Sequence, residues 1–189
     1  IGRSAVGIDT GTLNNDGGDI GGNRVAITAV DDINNQGGSI RADSDLTLTA
    51  GRDVNLTSTT QSSRRNNLNH KTTSTATRTN LDRKASLQVS GDGNLVVYAG
   101  RDLTLVGAQV SHTGNGKTQL IAERDLQPTT IETQYSTASQ SRRNSANFLS
   151  ESEQSEVGTR INTRGDIALV AGQDIRARAT SISSKEGQI

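Results

Sequence analysis

"AGRDVNLTS" spans residues 50–58 and returns as "AGRDLTLVG" at 99–107, as "AERDLQPTT" at 122–130 and as "AGQDIRARA" at 171–179. With a looser copy in "RVAITAVDDI", the recurring alanines are Ala29, Ala50, Ala99, Ala122 and Ala171, at intervals of 21, 49, 23 and 49 residues. Two intervals are single units of about 22 residues, and two are one unit plus an insertion of about 27. A second register agrees, since "LNNDGGDI" (13–20) and "INNQGGSI" (33–40) are offset by 20.

Within each unit the apolar residues alternate: Val25, Ile27 and Ala29; Leu46, Leu48 and Ala50; Leu95, Val97 and Ala99; Leu120 and Ala122; Ile167, Leu169 and Ala171. Period two is the mark of a strand with one apolar face. A turn follows each alanine, then a second alternating run: Ile33; Val54 and Leu56; Leu103 and Leu105; Ile175 and Ala177. Each unit is thus expected to supply two short strands with a corner between them. One unit cannot bury its apolar face alone, but stacked units line up Leu on Leu and Ala on Ala. The fold class this predicts is all-β: a parallel β-helix (solenoid), right-handed because crossovers between parallel strands take that hand, with β-hairpin or loop insertions. Strands stack about 4.8 Å apart, so six to eight coils make a rod roughly 30–40 Å long. The expected organisation is one β-helix segment over 1–189, part of a larger filament, with insertions at about 57–84 and 129–160.

At the predicted structural corner, made by Ala50, Gly51 and Asp53, by Ala99, Gly100 and Asp102, and by Ala171, Gly172 and Asp174, each residue type has a reason. Alanine is small where the chain bends inward, glycine permits positive φ, and aspartate accepts a backbone N–H of the turn. Val30 and Glu123 stand in the glycine position, so the corner tolerates its loss, and with Pro128 they predict irregular stacking between 107 and 130. Asp32, Asp53, Asp102, Asp125 and Asp174 stack as like charges, offset by Arg52, Arg101 and Arg124. Asn14-Asn15 and Asn34-Asn35 predict an asparagine ladder at another corner.

Composition bounds the core. Only 30% of the 189 residues are apolar and 2% aromatic, so a broad core of large side chains is excluded. Yet Lys+Arg 20 balances Asp+Glu 20, and the apolar residues are gathered into alternating runs, unlike a disordered chain. Zero cysteines remove disulfides and thiolate metal sites. No transmembrane stretch and no signal peptide is legible, and Ile1 reads as an internal cut from a longer chain.

The two insertions are rich in Ser, Thr, Asn and Gln and resemble each other through "SSRRNN" (62–67) and "QSRRNS" (140–145). They read either as polar loops or as β-hairpins; in the second, "TTIETQYSTAS" and "NFLSESEQSEV" are the arms and the Arg-Arg-Asn segment lies near the tip. Candidate surface-binding residues are therefore Arg64, Arg65, Arg142 and Arg143. The first insertion carries Arg64, Arg65, Lys71, Arg78, Arg83 and Lys84 against Asp82, which suits either an acidic surface such as lipopolysaccharide phosphate or a solvated, pairing-resistant edge. In the second, Glu132, Glu151, Glu153 and Glu156 outnumber Arg142, Arg143 and Arg160.

Enzymatic β-helices gather carboxylates or a base at one spot in a cleft. Here the carboxylates recur at one corner, coil after coil, which is a structural pattern, so a non-enzyme is expected, with no cofactor. His70 and His112 lie 42 residues apart in polar, loop-like sequence, and no metal site is expected. No G-x-S-x-G elbow occurs. Balanced charge and three aromatics leave no nucleic-acid platform.

The phrases "LTLTAGRDVNLTST", "LVVYAGRDLTLVGAQV" and "IALVAGQDIRARATSISS", and above all residues 32–63, resemble the haemagglutinin repeats of large bacterial exoproteins of the two-partner secretion class. That class includes filamentous haemagglutinins and contact-dependent growth-inhibition effectors. The resemblance implies a segment of a secreted or cell-surface filament, associated with the outer membrane and periplasmic before deployment. It implies an outer-membrane transporter as partner and a target-cell surface or outer membrane as the thing met. The role implied is cell contact, adhesion or delivery of a C-terminal toxin; a carbohydrate- or lipopolysaccharide-binding surface made by the insertions is the alternative.

Overall fold

The structure is a computed structural model in which residues 4–189 are described. Ile1, read above as an internal cut, lies outside them. The alternating runs become short strands, except the last, Ile175 and Ala177, and the chain winds as six coils. Coil 1 holds β1 (Val6–Thr10), β2 (Leu13–Asp16) and β3 (Asp19–Gly22), and coil 2 holds β4 (Val25–Ala29), β5 (Ile33–Gln36) and β6 (Ser39–Ala42). Coil 3 begins with β7 (Leu46–Ala50) and β8 (Val54–Thr57), breaks out into β9 (Thr60–Leu68) and β10 (Thr72–Leu81), and closes with β11 (Ser86–Val89). Coil 4 is β12 (Leu95–Ala99), β13 (Leu103–Val106) and β14 (Gln109–His112). Coil 5 repeats the excursion: β15 (Thr118–Ala122), β16 (Leu126–Thr129), then β17 (Ile131–Ser141) and β18 (Phe148–Val157), then β19 (Arg160–Thr163). Coil 6 retains β20 (Ile167–Ala171) and β21 (Ser181–Ser184).

Coils 1 to 5 contribute one strand to each of three parallel sheets and coil 6 one to the first and third, in the orders β1-β4-β7-β12-β15-β20, β2-β5-β8-β13-β16 and β3-β6-β11-β14-β19-β21. The chain is a parallel β-helix, three-sided where two strands per coil were expected. The third strand escaped the sequence pattern because, β11 apart, each of its strands turns one large apolar residue inward, such as Ile40, Val110 or Ile161, next to a small or polar one: Gly22, Ala42, His112, Thr163. Such residues carry no hydrophobic alternation to read. Register is strict along the rod: Val25, Leu46 and Leu95 stack, as do Ile27, Leu48 and Val97, and Ala29, Ala50 and Ala99. These nine residues are at most 3% exposed and form part of one continuous interior. Stacking like on like buries the apolar side chains that no single coil could cover.

Coil 4 and the first two strands of coil 5 pair in full register, Leu103↔Leu126 and Leu105↔Pro128 included, so the irregularity expected at 107–130 is absent there. It falls one coil later. Leu126 donates its N–H to Asp174 O, and the two-residue period turns position 128 toward the same coil. Proline has no N–H to give, and beyond β16 the second sheet keeps one isolated bridge, Leu126↔Ile175.

Glycine serves two different purposes at the corners. At the corner between the second and third sheets, Gly17, Gly37 and Gly107 have φ of 63, 61 and 57°, the left-handed turn that glycine adopts freely. At the Ala-Gly corner, Gly51, Gly100 and Gly172 do not take positive φ, contrary to expectation. Their requirement is space: a Cβ on any of them would fall inside the van der Waals radius of a carbonyl oxygen in the preceding coil, Val30 O, Gly51 O or Glu123 O.

Candidate functional site

Both insertions leave the rod at the corner where coils 1, 2 and 4 turn on a positive-φ glycine. Ser58 holds the first exit: 2% exposed, it donates to Gly107 O at 2.8 Å and accepts from Ala85 N at 3.1 Å. Thr159 holds the second, buried within 2.9 Å of both Leu105 O and Thr129 O. The chain can therefore depart and return without leaving unsatisfied backbone groups in the rod.

Outside the rod the two hairpins are one object. β10 pairs antiparallel with β17, from Thr72↔Ser141 to Thr79↔Gln134, giving a four-stranded sheet in the order β18-β17-β10-β9. The geometry explains why. The exits are two coils apart, about 9.6 Å, and a hairpin is two strands wide, also about 9.6 Å, so neighbouring hairpins meet edge to edge. The equal 49-residue intervals contain this spacing, although each insertion reads in the sequence as a separate hairpin.

Both faces of the sheet are polar. One carries the cross-strand rows Arg65–Ala76–Thr137–Glu151 and Ser63–Arg78–Tyr135–Glu153. On it the Arg78 guanidinium lies 5.7 Å from the Tyr135 ring centre, a cation–π pair, beside an open groove of about 440 Å³ that Arg65 and Ala76 help to line. The other face carries Arg64, Thr77, Ser136 and Ser152 in one row. At the far end, exposed apolar side chains lie on the two outer strands, Leu68 on β9 and Phe148 and Leu149 on β18.

The four candidate arginines do not form one cluster. Arg64 and Arg65 sit in the middle of edge strand β9, on opposite faces, so the first hairpin has no arginine tip. Arg142 and Arg143 do lie at the tip of the second hairpin, where Arg142 bridges to the first: its N–H donates to Lys71 O at 2.8 Å and Nη1 to Asn69 O at 3.2 Å. "SSRRNN" and "QSRRNS" are thus alike in sequence and unlike in place.

The corner aspartates act between coils, not within their own turn. Asp32, Asp53, Asp102 and Asp125 each accept the N–H of the equivalent aspartate one coil on, Asp53, Asp102, Asp125 and Asp174, at 3.2–3.3 Å. Each carboxylate also receives an arginine from that next coil. Arg52 reaches Asp32, and the Nε atoms of Arg101 and Arg124 donate to Asp53 and Asp102 at 2.8 Å. Gln173 breaks the arginine series, and Arg176 takes its place between Asp125 and Asp174. These arginines, outweighing partial burial, hold the Asp32, Asp53 and Asp102 carboxyls below the usual carboxylate range. Asparagines do the same uncharged: Asn34 donates to Asn14 and Asn55 to Asn34, both at 2.9 Å, while Asn15 donates to Asn35 at 2.7 Å further in.

His112 is not in a loop, as its sequence context suggested. It points into the rod at 1% exposure, Nε2 3.1 Å from Gly91 O and Nδ1 3.0 Å from Thr118 Oγ1. Both nitrogens are committed to stacking coils. Among the described residues, no three His, Cys, Asp or Glu side chains gather in a way that could hold a metal ion, and the carboxylates of this ladder are committed to arginines and backbone.

A family model described as "Hemagglutinin repeat" matches residues 10–77 and 70–149, and the chain belongs to that family. The family is one of structural, adhesin-type repeats in secreted or surface-exposed bacterial proteins. No curated protein and no solved structure matches the chain.

Proposed function

We propose that this run of haemagglutinin repeats is a rigid, non-enzymatic segment of a bacterial surface filament, and that it mediates cell contact, adhesion or delivery of a C-terminal toxin. The observation that supports the reading is the interlocked corner: from coil 2 to coil 6 each coil is tied to the next by backbone ladder, aspartate cap and arginine, while the exposed elaboration is a sheet held away from the rod. A rod of this kind carries load along its axis, and the hairpin sheet is the part that meets other surfaces. Export through an outer-membrane transporter of the two-partner secretion type belongs to the same reading. Coil-by-coil folding outside the cell then draws the chain outward.

The test replaces each hairpin with the short corner of coil 2, Gly37-Gly38, in the full-length filament. Normal secretion with loss of target-cell attachment is the expected result. Unchanged attachment would mean that the sheet is not the contact surface. A second reading, carbohydrate or lipopolysaccharide binding by the insertions, is favoured by the groove beside Tyr135 and Arg78. Glycan-array binding that disappears in Tyr135→Ala supports it.

A further inference from the structure

The hairpin sheet has two open edges of opposite charge. β9 has the sequence TQSSRRNNL, all nine residues exposed, with Arg64 and Arg65 at its middle and no proline, glycine or bulge to discourage pairing. β18 has the sequence FLSESEQSEV, with Glu151, Glu153 and Glu156. Unpaired strand edges offer a full row of N–H and C=O groups to any extended chain, and flanking charge selects which chain is accepted.

The rod leaves room beside β9. Coils 1 and 2 turn on two-residue corners, Gly17-Gly18 and Gly37-Gly38, where coil 3 sends out a hairpin, so two coils, about 9.6 Å or two strand widths, carry no hairpin of their own. The Arg83 side chain reaches over these corners, its Nη1 donating to Gly17 O at 2.9 Å, and adds a third cation at the foot of the edge. The sheet already grows by capturing the strand of a separate hairpin, β17 on β10, between polar strands and without an apolar face. A strand joining β9 would continue that interface.

From this we propose that β9 is a docking edge for an extended, acidic, serine- and glutamate-rich β-strand of a partner protein, added to the sheet by backbone pairing and selected by Arg64 and Arg65. The site goes beyond the filament reading: it is a specific receptor edge on an otherwise repetitive rod. The acidic strand β18 supplies a ligand of the right chemistry for a probe.

The experiment titrates the intact chain into a fluorescent peptide of sequence FLSESEQSEV and reads anisotropy. Saturable binding that weakens with salt is expected, with new amide-exchange protection confined to residues 60–68. Arg64→Glu/Arg65→Glu in the protein, at two exposed positions, should weaken it at least tenfold, and so should Ser150→Pro/Ser152→Pro in the peptide, which keeps the charge but blocks pairing. A peptide with all three glutamates changed to lysine should bind the reversed protein and not the original. No binding at a peptide concentration of about 1 mM, the weakest affinity that would matter, overturns the proposal. Equal binding of the proline peptide reduces the effect to bulk electrostatics and overturns it too. Protection appearing on β17 would show exchange with the chain's own β18 and has the same consequence.

Discussion

Asp53 separates two contributions that the corner ladder combines. Its Oδ1 accepts Asp102 N–H at 3.2 Å, and its carboxylate faces Arg101, with Nε at 2.8 Å; the aspartate side chain is 17% exposed and the arginine 44%. Asp53→Ala removes the acceptor and leaves a partly buried N–H unmatched, a loss of about 1.5–3 kcal/mol for a hydrogen bond to a charged group. Asp53→Asn has nearly the same shape and keeps an oxygen at the Oδ1 position, so it keeps the cap and loses the charge and the Oδ2 acceptor of an Arg101 N–H that water can reach, and costs a fraction of that. Urea unfolding followed by far-UV circular dichroism should therefore rank wild type just above Asn and Asn well above Ala. The same residue predicts a pH effect. Because Arg101 holds the carboxyl below its ordinary range, the folded chain binds fewer protons than the unfolded one as acid is added. That stabilisation is complete above the unfolded carboxyl pKa of about 3.9 and is lost as pH falls from there through the lowered folded value. Asp53→Asn should flatten the acid limb of the stability curve by Asp53's share, leaving those of Asp32 and Asp102. Equal losses in Asn and Ala would refute the capping argument, since the charge alone would then explain the residue.

Leu105 is fully buried, stacked between Leu56 and Pro128, so Leu105→Ala should cost about 2–5 kcal/mol in urea unfolding. Gly37→Ala meets a φ of 61° and atoms of Arg83 and Thr59 at 3.0–3.2 Å, and should lose about 1–2 kcal/mol; Gly7→Ala, with nothing within 4 Å, should shift the urea midpoint by no more than about 0.5 kcal/mol's worth. Asn35, 1% exposed and donating to Gly38 O at 2.9 Å, should cost about 1–3 kcal/mol as alanine, whereas Asn34 in the outer ladder should cost less than half as much by the same assay. Replacing 58–85 with a Gly-Gly corner should remove amide-exchange protection from β17 and β18 while the rod strands keep theirs; retained protection would show that the second hairpin is stable without the first.

The rod was legible because its information is local and repeated. Leu46-x-Leu48-x-Ala50 reads as a strand by itself, and its return at Leu95, Val97 and Ala99 gives the stacking partner without any structure. The corner aspartates and the Asn ladder were visible for the same reason. Three features were not. The third sheet follows a single inward apolar residue, such as Ile40, Val110 or Ile161, with Ala42, His112 or Thr163, so its apolar alternation is too short to read. The role of Gly51 and Gly100 looked conformational because glycine usually signals φ, whereas here the constraint comes from a carbonyl in another coil, a distance that no local reading contains. The joining of the two insertions depends on comparing a rise per coil with a strand width, a calculation available from the 49-residue spacing once three strands per coil are known.

That joining also explains how so polar a sheet exists. A lone two-stranded hairpin is marginal in water, and three or more strands ordinarily need an apolar face to persist. β9, β10, β17 and β18 have no such face: apart from scattered residues such as Ala76, Tyr135 and Phe148, their rows are Ser, Thr, Asn, Gln and charged side chains on both sides. What they have is anchoring. Each hairpin is fixed at its foot by a buried hydroxyl, Ser58 or Thr159, and the rod holds the two feet at the spacing that pairing requires. The loop-closure and alignment entropy that would defeat a free polar sheet has already been met by the folding of coils 3, 4 and 5. Each added strand pair then needs only its backbone bonds and tip contacts such as Arg142 to Asn69 O. The sheet's stability is thus a consequence of the rod, which is why its outer edge can stay open, polar and unprotected at β9 without the molecule depending on whatever pairs there.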